Sequence, residues 1–122
     1  MVTFRIASAA LLLAGTSALA APPPLSVREQ AEIRRVVGGK LKDGESARWQ
    51  WPVPTTQGQT IAYCGFVNAK NSYGGYTGFA QFFVLLTRGA HPSASGVAIG
   101  GDDALSTQIV DRLCAASNRA PD

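Results

Sequence analysis

The stretch YCGFVNAKNSYGGYTGF, residues 63–79, places a polar segment with a Gly-Gly pair between two apolar, aromatic runs. Four consecutive side chains in it supply a cation, an amide, a hydroxyl and a phenol: Lys70, Asn71, Ser72 and Tyr73. Together with Asn68 they form a polar set that can bind a carboxylate, a sugar or a peptide backbone. The same composition is also what a plain hairpin loop requires, because asparagine bonds its own backbone and glycine allows positive φ. Both interpretations stay open, and the segment 68–76 is the first candidate binding site.

Two tryptophans form the second candidate site. Trp49 and Trp51 lie two residues apart just before Pro52, so on a β-strand their side chains would share one face. An exposed pair of this kind suggests stacking on a sugar or contact with a protein partner. In a small domain such residues also close the hydrophobic core. The core role is favoured, with ligand binding by Trp49 or Trp51 as the alternative.

The residue types that catalysis needs are sparse. His91 is the only histidine, and it precedes Pro92 in a loop-like segment without a G-x-S-x-G motif. Asp102 and Asp103 follow a Gly-Gly pair, where a carboxylate that caps a helix explains them. A small hydrolase in which His91 works with Asp102 or Asp103 is therefore the minor alternative to a non-catalytic protein. No cofactor motif and no metal-ligand spacing occur, so the sequence predicts neither a cofactor nor a metal site.

The two cysteines, Cys64 and Cys114, predict a single disulfide, because an even pair in one small domain is normally bridged in an oxidising compartment. The C-x-x-C spacing of thiol-exchange sites is missing. Two cysteines and one histidine are also too few for a typical four-ligand zinc site. Closing a loop of about 50 residues contributes roughly 4 kcal/mol in the chain-entropy description. The bridge should therefore matter to stability.

Residues 1–20 have the pattern of a cleaved export signal, with Arg5 at the start, an apolar run over 6–14 and Ala18-Leu19-Ala20 at the cleavage site. The apolar run is shorter than the ~20 residues that span a bilayer. Cleavage leaves a Pro-rich leader, 21–25, and one domain, 26–122. It also lowers the net charge of +3 by one unit, which is too small for a nucleic-acid partner. The sequence predicts a periplasmic or secreted protein with no membrane span after cleavage.

Basic residues concentrate in the first third of the domain. They are Arg28, Arg34, Arg35, Lys40, Lys42 and Arg48. Acidic residues alternate with them, at Glu29, Glu32, Asp43 and Glu45. The mixed pattern favours a solvated helix face over a binding site for an anionic partner.

Hydrophobic periodicity predicts an α+β fold: an antiparallel sheet of three to four strands with an N-terminal and a C-terminal helix. Ser26 and Glu29 fit a capping box at the start of a helix over 26–37. Strands are predicted at 47–51, 60–67, 76–87 and 96–99. The strand at 60–67 should be central because both of its faces are apolar. The last helix, over 103–117, carries an apolar stripe beside Cys114, formed by Leu105, Ile109, Val110 and Leu113.

Residues 64–79 follow the pattern C-G-x-V-N-A-K-N-S-x-G-G-Y-x-G-F, and residues 41–49 read LKDGESARW. The first pattern resembles a motif of small exported proteobacterial proteins of unknown function. The second is similar to their usual upstream segment, with Gly44 in place of proline and Trp49 in place of phenylalanine. The resemblance covers about residues 41–83, and it implies a small exported domain that is characterised by the 68–76 segment. It implies no activity.

Export and the polar loop together predict non-catalytic binding in the bacterial cell envelope. The expected partner is an envelope protein or a cell-wall component. The alternative is a structural or inhibitor-like domain in which the motif only shapes the hairpin.

Overall fold

The computed structural model describes residues 21–101 and 103–117. Along the chain it contains helix α1 (Val27–Gly38), strands β1 (Arg48–Gln50), β2 (Thr60–Lys70), β3 (Tyr76–Thr87) and β4 (Ser93–Ile99), and helix α2 (Ala104–Ser117). The predicted α+β class, with an antiparallel sheet and a helix at each end of the domain, is confirmed. The predicted export signal, residues 1–20, and Asp102 lie outside the described residues.

The four strands form a meander in the order β1-β2-β3-β4, each antiparallel to the next. Strand β2 is central, as its two apolar faces predict. Strand β4 begins at Ser93, earlier than the predicted residue 96. Gly96 adopts a φ of 61°, and the pairing register shifts between Phe83 and Leu85. This irregularity lets the strand continue through a glycine at which the sequence pattern predicts its boundary.

The two helices cover opposite faces of the sheet. Successive side chains of a strand alternate between these two faces, so one strand can contribute to both clusters. On the α1 side the buried cluster is the larger one, and it includes Ile33, Val37, Tyr63, Val67, Phe82 and Val84. On the α2 side the buried cluster consists of Phe83, Val110 and Cys114. The fold therefore has three layers and two hydrophobic clusters, with β2 and β3 contributing to both.

Cys64 and Cys114 form the predicted disulfide, with their Cα atoms 5.9 Å apart. The bridge fastens α2 to the central strand. The apolar stripe predicted for this helix is only partly buried, since Val110 is inaccessible whereas Leu105 and Ile109 are 67% and 45% exposed. The helix contacts the sheet through Val110 and Cys114. Each residue is rotated by about 100° from the previous one, so Ile109, which precedes Val110, faces solvent instead.

Helix α1 begins with the predicted capping box, in which Ser26 Oγ accepts from the Glu29 N–H and Glu29 Oε1 accepts from the Ser26 N–H. The Glu29 side chain is also buried in a bidentate ion pair with Arg88, and both N–O distances are 2.8 Å. Arg88 donates two further bonds, each 2.9 Å, to the carbonyl oxygens of Pro23 and Pro24. The Pro-rich leader is thus fixed to the residue that follows β3.

The Arg88 hydrogen bonds, with help from Ser26 and from the Arg88 charge, hold the pKa of Glu29 at about 2, well below its ordinary value of 4.5. Burial acts in the opposite direction and is outweighed. Glu29 therefore stays ionised across the neutral range, and it connects the helix start, the leader and the sheet.

Candidate functional site

The β2–β3 hairpin has a shorter loop than the sequence suggests. Strand β2 continues to Lys70 and β3 starts at Tyr76, so the turn occupies only residues 71–75. Within it the Asn71 N–H donates to the Gly75 carbonyl at 2.8 Å, and the Asn71 side-chain oxygen accepts from the N–H groups of Tyr73 and Gly75. One asparagine side chain thus fixes the backbone of the whole turn.

Asn68 lies in strand β2 rather than in the loop, and it is 9% exposed. Its side-chain oxygen accepts a bond of 3.0 Å from the N–H of Gly78, which has a φ of 99°. The β2–β3 register shifts between Asn68 and Lys70 at the same place. The Asn68 amide therefore supports the irregular part of the hairpin, where the regular ladder bonds are interrupted.

The two segments that carry the family resemblance contact each other. Lys42 Nζ donates to Ser72 Oγ at 2.7 Å, and the Tyr76 hydroxyl donates to the Ser46 carbonyl at 2.8 Å. The Arg48 guanidinium lies over the Tyr76 ring, 4.0 Å from its centroid. Residues that are distant in sequence thereby form one continuous surface beside the hairpin.

A cavity of about 350 Å³ opens between these segments, at the low end of the roughly 300–1,000 Å³ usual for ligand pockets. We call it the hairpin pocket. The residues that line it are Lys40, Leu41, Lys42, Ala69, Lys70, Asn71, Ser72, Tyr73 and Thr77. The Tyr73 side chain at the turn is 96% exposed. The pocket is therefore lined by three lysines and by a tyrosine whose ring projects, and the Lys70 ammonium also lies 5.5 Å from the Tyr76 ring centroid.

The Asp43 carboxylate is close enough to Lys70 to be affected by its charge. Hydrogen bonds from Ser46, assisted by the positive charge of Lys70, lower the pKa of Asp43. The Asp43 carboxylate therefore lies near Lys70 and offsets part of its positive charge.

Lys42 and Ser72 have the spacing of a base and a nucleophile, which makes the pair worth testing as catalytic residues. Both side chains are exposed. In the bond between them the lysine is the donor and the serine oxygen the acceptor, so the serine proton is not directed at the lysine. The pair therefore fits the recognition of a ligand better than nucleophilic catalysis.

The two tryptophans do not line the hairpin pocket. The Trp49 and Trp51 rings are stacked with centroids 5.3 Å apart, and both meet the edge of Phe82. The Arg34 guanidinium lies 5.5 Å from the Trp51 ring centroid. Both tryptophans are half-buried against the α1-side cluster. Trp49 also borders a separate, shallow groove beside α1. The structure therefore does not join the two candidate sites into one.

His91 and Asp103 lie at opposite ends of β4. His91 is exposed in the segment before the strand, and Asp103 follows it, where its carboxylate accepts from the backbone N–H and the hydroxyl of Ser106. A strand of this length separates them by roughly 20 Å. These two groups cannot share a proton in this arrangement, and the Asp103 bonds are those of the predicted helix cap.

Lys40 and Lys42 were not expected at the site, because the alternation of charges suggests a solvated helix face. Helix α1 ends at Gly38, and both lysines lie in the segment that turns back toward the hairpin. The available signal was the segment LKDGESARW, residues 41–49, which contains Lys42 and is the upstream part of the resemblance described above.

Fold and site together define a class: a disulfide-linked, three-layer α+β domain that presents a cationic pocket on a braced β-hairpin. Comparisons with known protein families, with curated proteins and with solved structures find no match to this chain. In residues 21–101 and 103–117, no helix combines the length and hydropathy needed to cross a membrane. The same residues contain no group of three or more His, Cys, Asp or Glu side chains able to hold a metal ion.

Proposed function

We propose that this protein is a non-catalytic binding domain of the bacterial cell envelope, and that it binds its partner through the β2–β3 hairpin. The observation that carries the proposal is the position of Tyr73. Its ring is 96% exposed on a turn whose backbone is fixed by Asn71. An aromatic side chain on a rigid support loses little conformational entropy on binding, which favours its use as an anchor.

Two features support the envelope as the location. Residues 1–20 have the composition of an export signal, and Cys64 and Cys114 form a disulfide, as is usual in oxidising compartments. A periplasmic or secreted protein of this kind would meet an envelope protein or a cell-wall component. The contact between the two motif segments also gives the proposed membership of the exported proteobacterial family a physical reason, since both would be retained to form one surface.

The experiment is affinity capture from the envelope fraction of the source organism, with oxidised residues 21–122 as the bait. The hairpin variant carries Lys70→Ala and Tyr73→Ala, because both residues line the hairpin pocket, whereas the side chains of Asn68 and Asn71 support the hairpin backbone. The matched control is Leu105→Ala, another exposed side chain, on the remote helix α2. A partner retained by the wild type and the control but lost by the hairpin variant supports the proposal. Equal capture by all three proteins would contradict it.

A structural or inhibitor-like domain is the second candidate, and the bonds of Asn68 and Asn71 within the hairpin favour it. On this hypothesis the motif serves the fold alone. Asn68→Ala would then lower the melting temperature, and the hairpin variant would lose no partner. Loss of a partner by the hairpin variant at an unchanged melting temperature would rule this candidate out.

A further inference from the structure

The lysines of this protein are all in one place. The chain of 122 residues contains three, Lys40, Lys42 and Lys70, and each of them lines the hairpin pocket. They come from two separate segments, the turn after α1 and the end of β2. The ion pairs described within residues 21–101 and 103–117 instead use arginines: Arg35 pairs with Glu32 inside α1, and Arg88 pairs with Glu29 of α1.

The choice of lysine indicates the type of anion. Arginine presents a planar fork that suits two-point contact with one group, whereas lysine acts as a mobile point charge. Three point charges around a cavity of about 350 Å³ suit an anion that repeats along a flexible ligand. Lys42 is already oriented toward the pocket by its 2.7 Å bond to Ser72.

The exposed Tyr73 ring adds a second requirement, namely a ligand with a flat apolar face. A pyranose ring offers its C–H face to an aromatic ring, and its hydroxyls can bond Ser72 and the Asn71 amide. A nucleic acid would need a longer basic stripe than three lysines. Anionic charge together with a stacking ring is the chemistry of a sugar acid.

We propose that the hairpin pocket binds a carboxylate-bearing polysaccharide, with its carboxylates on the three lysine ammonium groups and one sugar ring on the face of Tyr73. The inference rests on the proposed function, because it names the ligand class of the same site. Because the contact joins ligand carboxylates to lysine ammonium groups, binding weakens as salt screens it.

The test is a calorimetric titration of oxidised residues 21–122 with hexagalacturonic acid, the carboxylated probe, and with maltohexaose, its neutral counterpart. Inorganic polyphosphate is the third probe. We expect binding of hexagalacturonic acid alone. We also expect about tenfold weaker binding by Lys40→Gln/Lys70→Gln and a separate loss in Tyr73→Ala, each at an unchanged melting temperature. The charge-matched control is Arg28→Gln/Arg112→Gln, which removes two exposed positive charges elsewhere and should bind like the wild type.

Three outcomes would overturn the inference: no binding of hexagalacturonic acid, binding of polyphosphate at least as tight, or equal losses in the lysine and arginine variants. Each concerns only the ligand class. The capture experiment tests the proposed function separately, so a partner that depends on Tyr73 would leave the binding role standing even if the acidic sugar failed.

Discussion

The ion pair between Glu29 and Arg88 offers the sharpest test of how this fold is held together. Glu29→Gln keeps the shape of the side chain and removes its charge. The glutamine resembles the protonated carboxyl group. The expected decrease in the free energy of unfolding therefore equals the stabilisation of the ionised carboxylate, which the lowered pKa measures. The pKa falls from 4.5 to about 2, and each unit is worth 1.36 kcal/mol, which gives about 3 kcal/mol at neutral pH. Both side chains are largely buried, 4% and 13% exposed, so solvent screening reduces this value little.

The pH dependence has a definite direction. Because the folded-state pKa lies below the unfolded one, the contribution is complete above about pH 4.5 and disappears as the pH falls toward 2. At pH 3 the difference between the wild type and Glu29→Gln should shrink to about 1 kcal/mol.

The assay is urea unfolding followed by tryptophan fluorescence, at pH 7 and at pH 3, for the wild type, for Glu29→Gln and for Glu45→Gln. The last variant makes the same change of charge at an exposed residue and should cost less than about 0.5 kcal/mol. A loss below about 1 kcal/mol at pH 7 in Glu29→Gln, or the same loss at both pH values, would refute the reasoning.

Three further predictions concern the core and the hairpin. Replacing Cys64 and Cys114 together by alanine should lower the free energy of unfolding by about 4 kcal/mol, measured in guanidinium chloride, because the bridge closes a loop of 50 positions; a loss under about 1 kcal/mol would contradict this. Gly65→Ala should cost about 1–3 kcal/mol in the same assay, since a Cβ there would lie 2.5 Å from the Phe82 ring. Unchanged stability would mean that the ring moves aside freely. Asn71→Ala should cost about 1–2 kcal/mol and broaden the NMR signals of residues 71–75, because two N–H groups lose their acceptor; sharp, unshifted signals would refute the bracing role.

The parts of the fold that the sequence predicts well depend on local patterns. The Ser26 and Glu29 capping box, the alternation along β2 and the positive-φ glycines of the hairpin all act over a few residues. Such signals are readable from one sequence because their physics is local. The disulfide was equally predictable, since two cysteines allow only one pairing.

The features that sequence reasoning missed come from contacts between distant segments. Arg88 finds its carboxylate 59 positions away, and Lys42 meets Ser72 across 30 positions. Periodicity carries no information about such partners. The assignment of helices to faces was also open, because α1 and α2 are both amphipathic and both faces of β2 are apolar. Of the candidate site, the hairpin could be predicted, but the lysines that complete its pocket required the fold.

The meander order has a consequence for how the chain acquires its structure during synthesis. Each strand pairs with its neighbour in sequence, but α1 packs against strands that come last, and Glu32 accepts from the Ala94 N–H across 62 positions. At typical rates of roughly 5–20 residues per second, the ribosome needs about 3–12 s to supply that interval. Until the end of this time α1 lacks β4, the strand that it contacts most, so Ile33 and Val37 are incompletely covered. We therefore expect α1 to be protease-sensitive in ribosome-bound chains that end before residue 94, and to be the segment that a chaperone would hold.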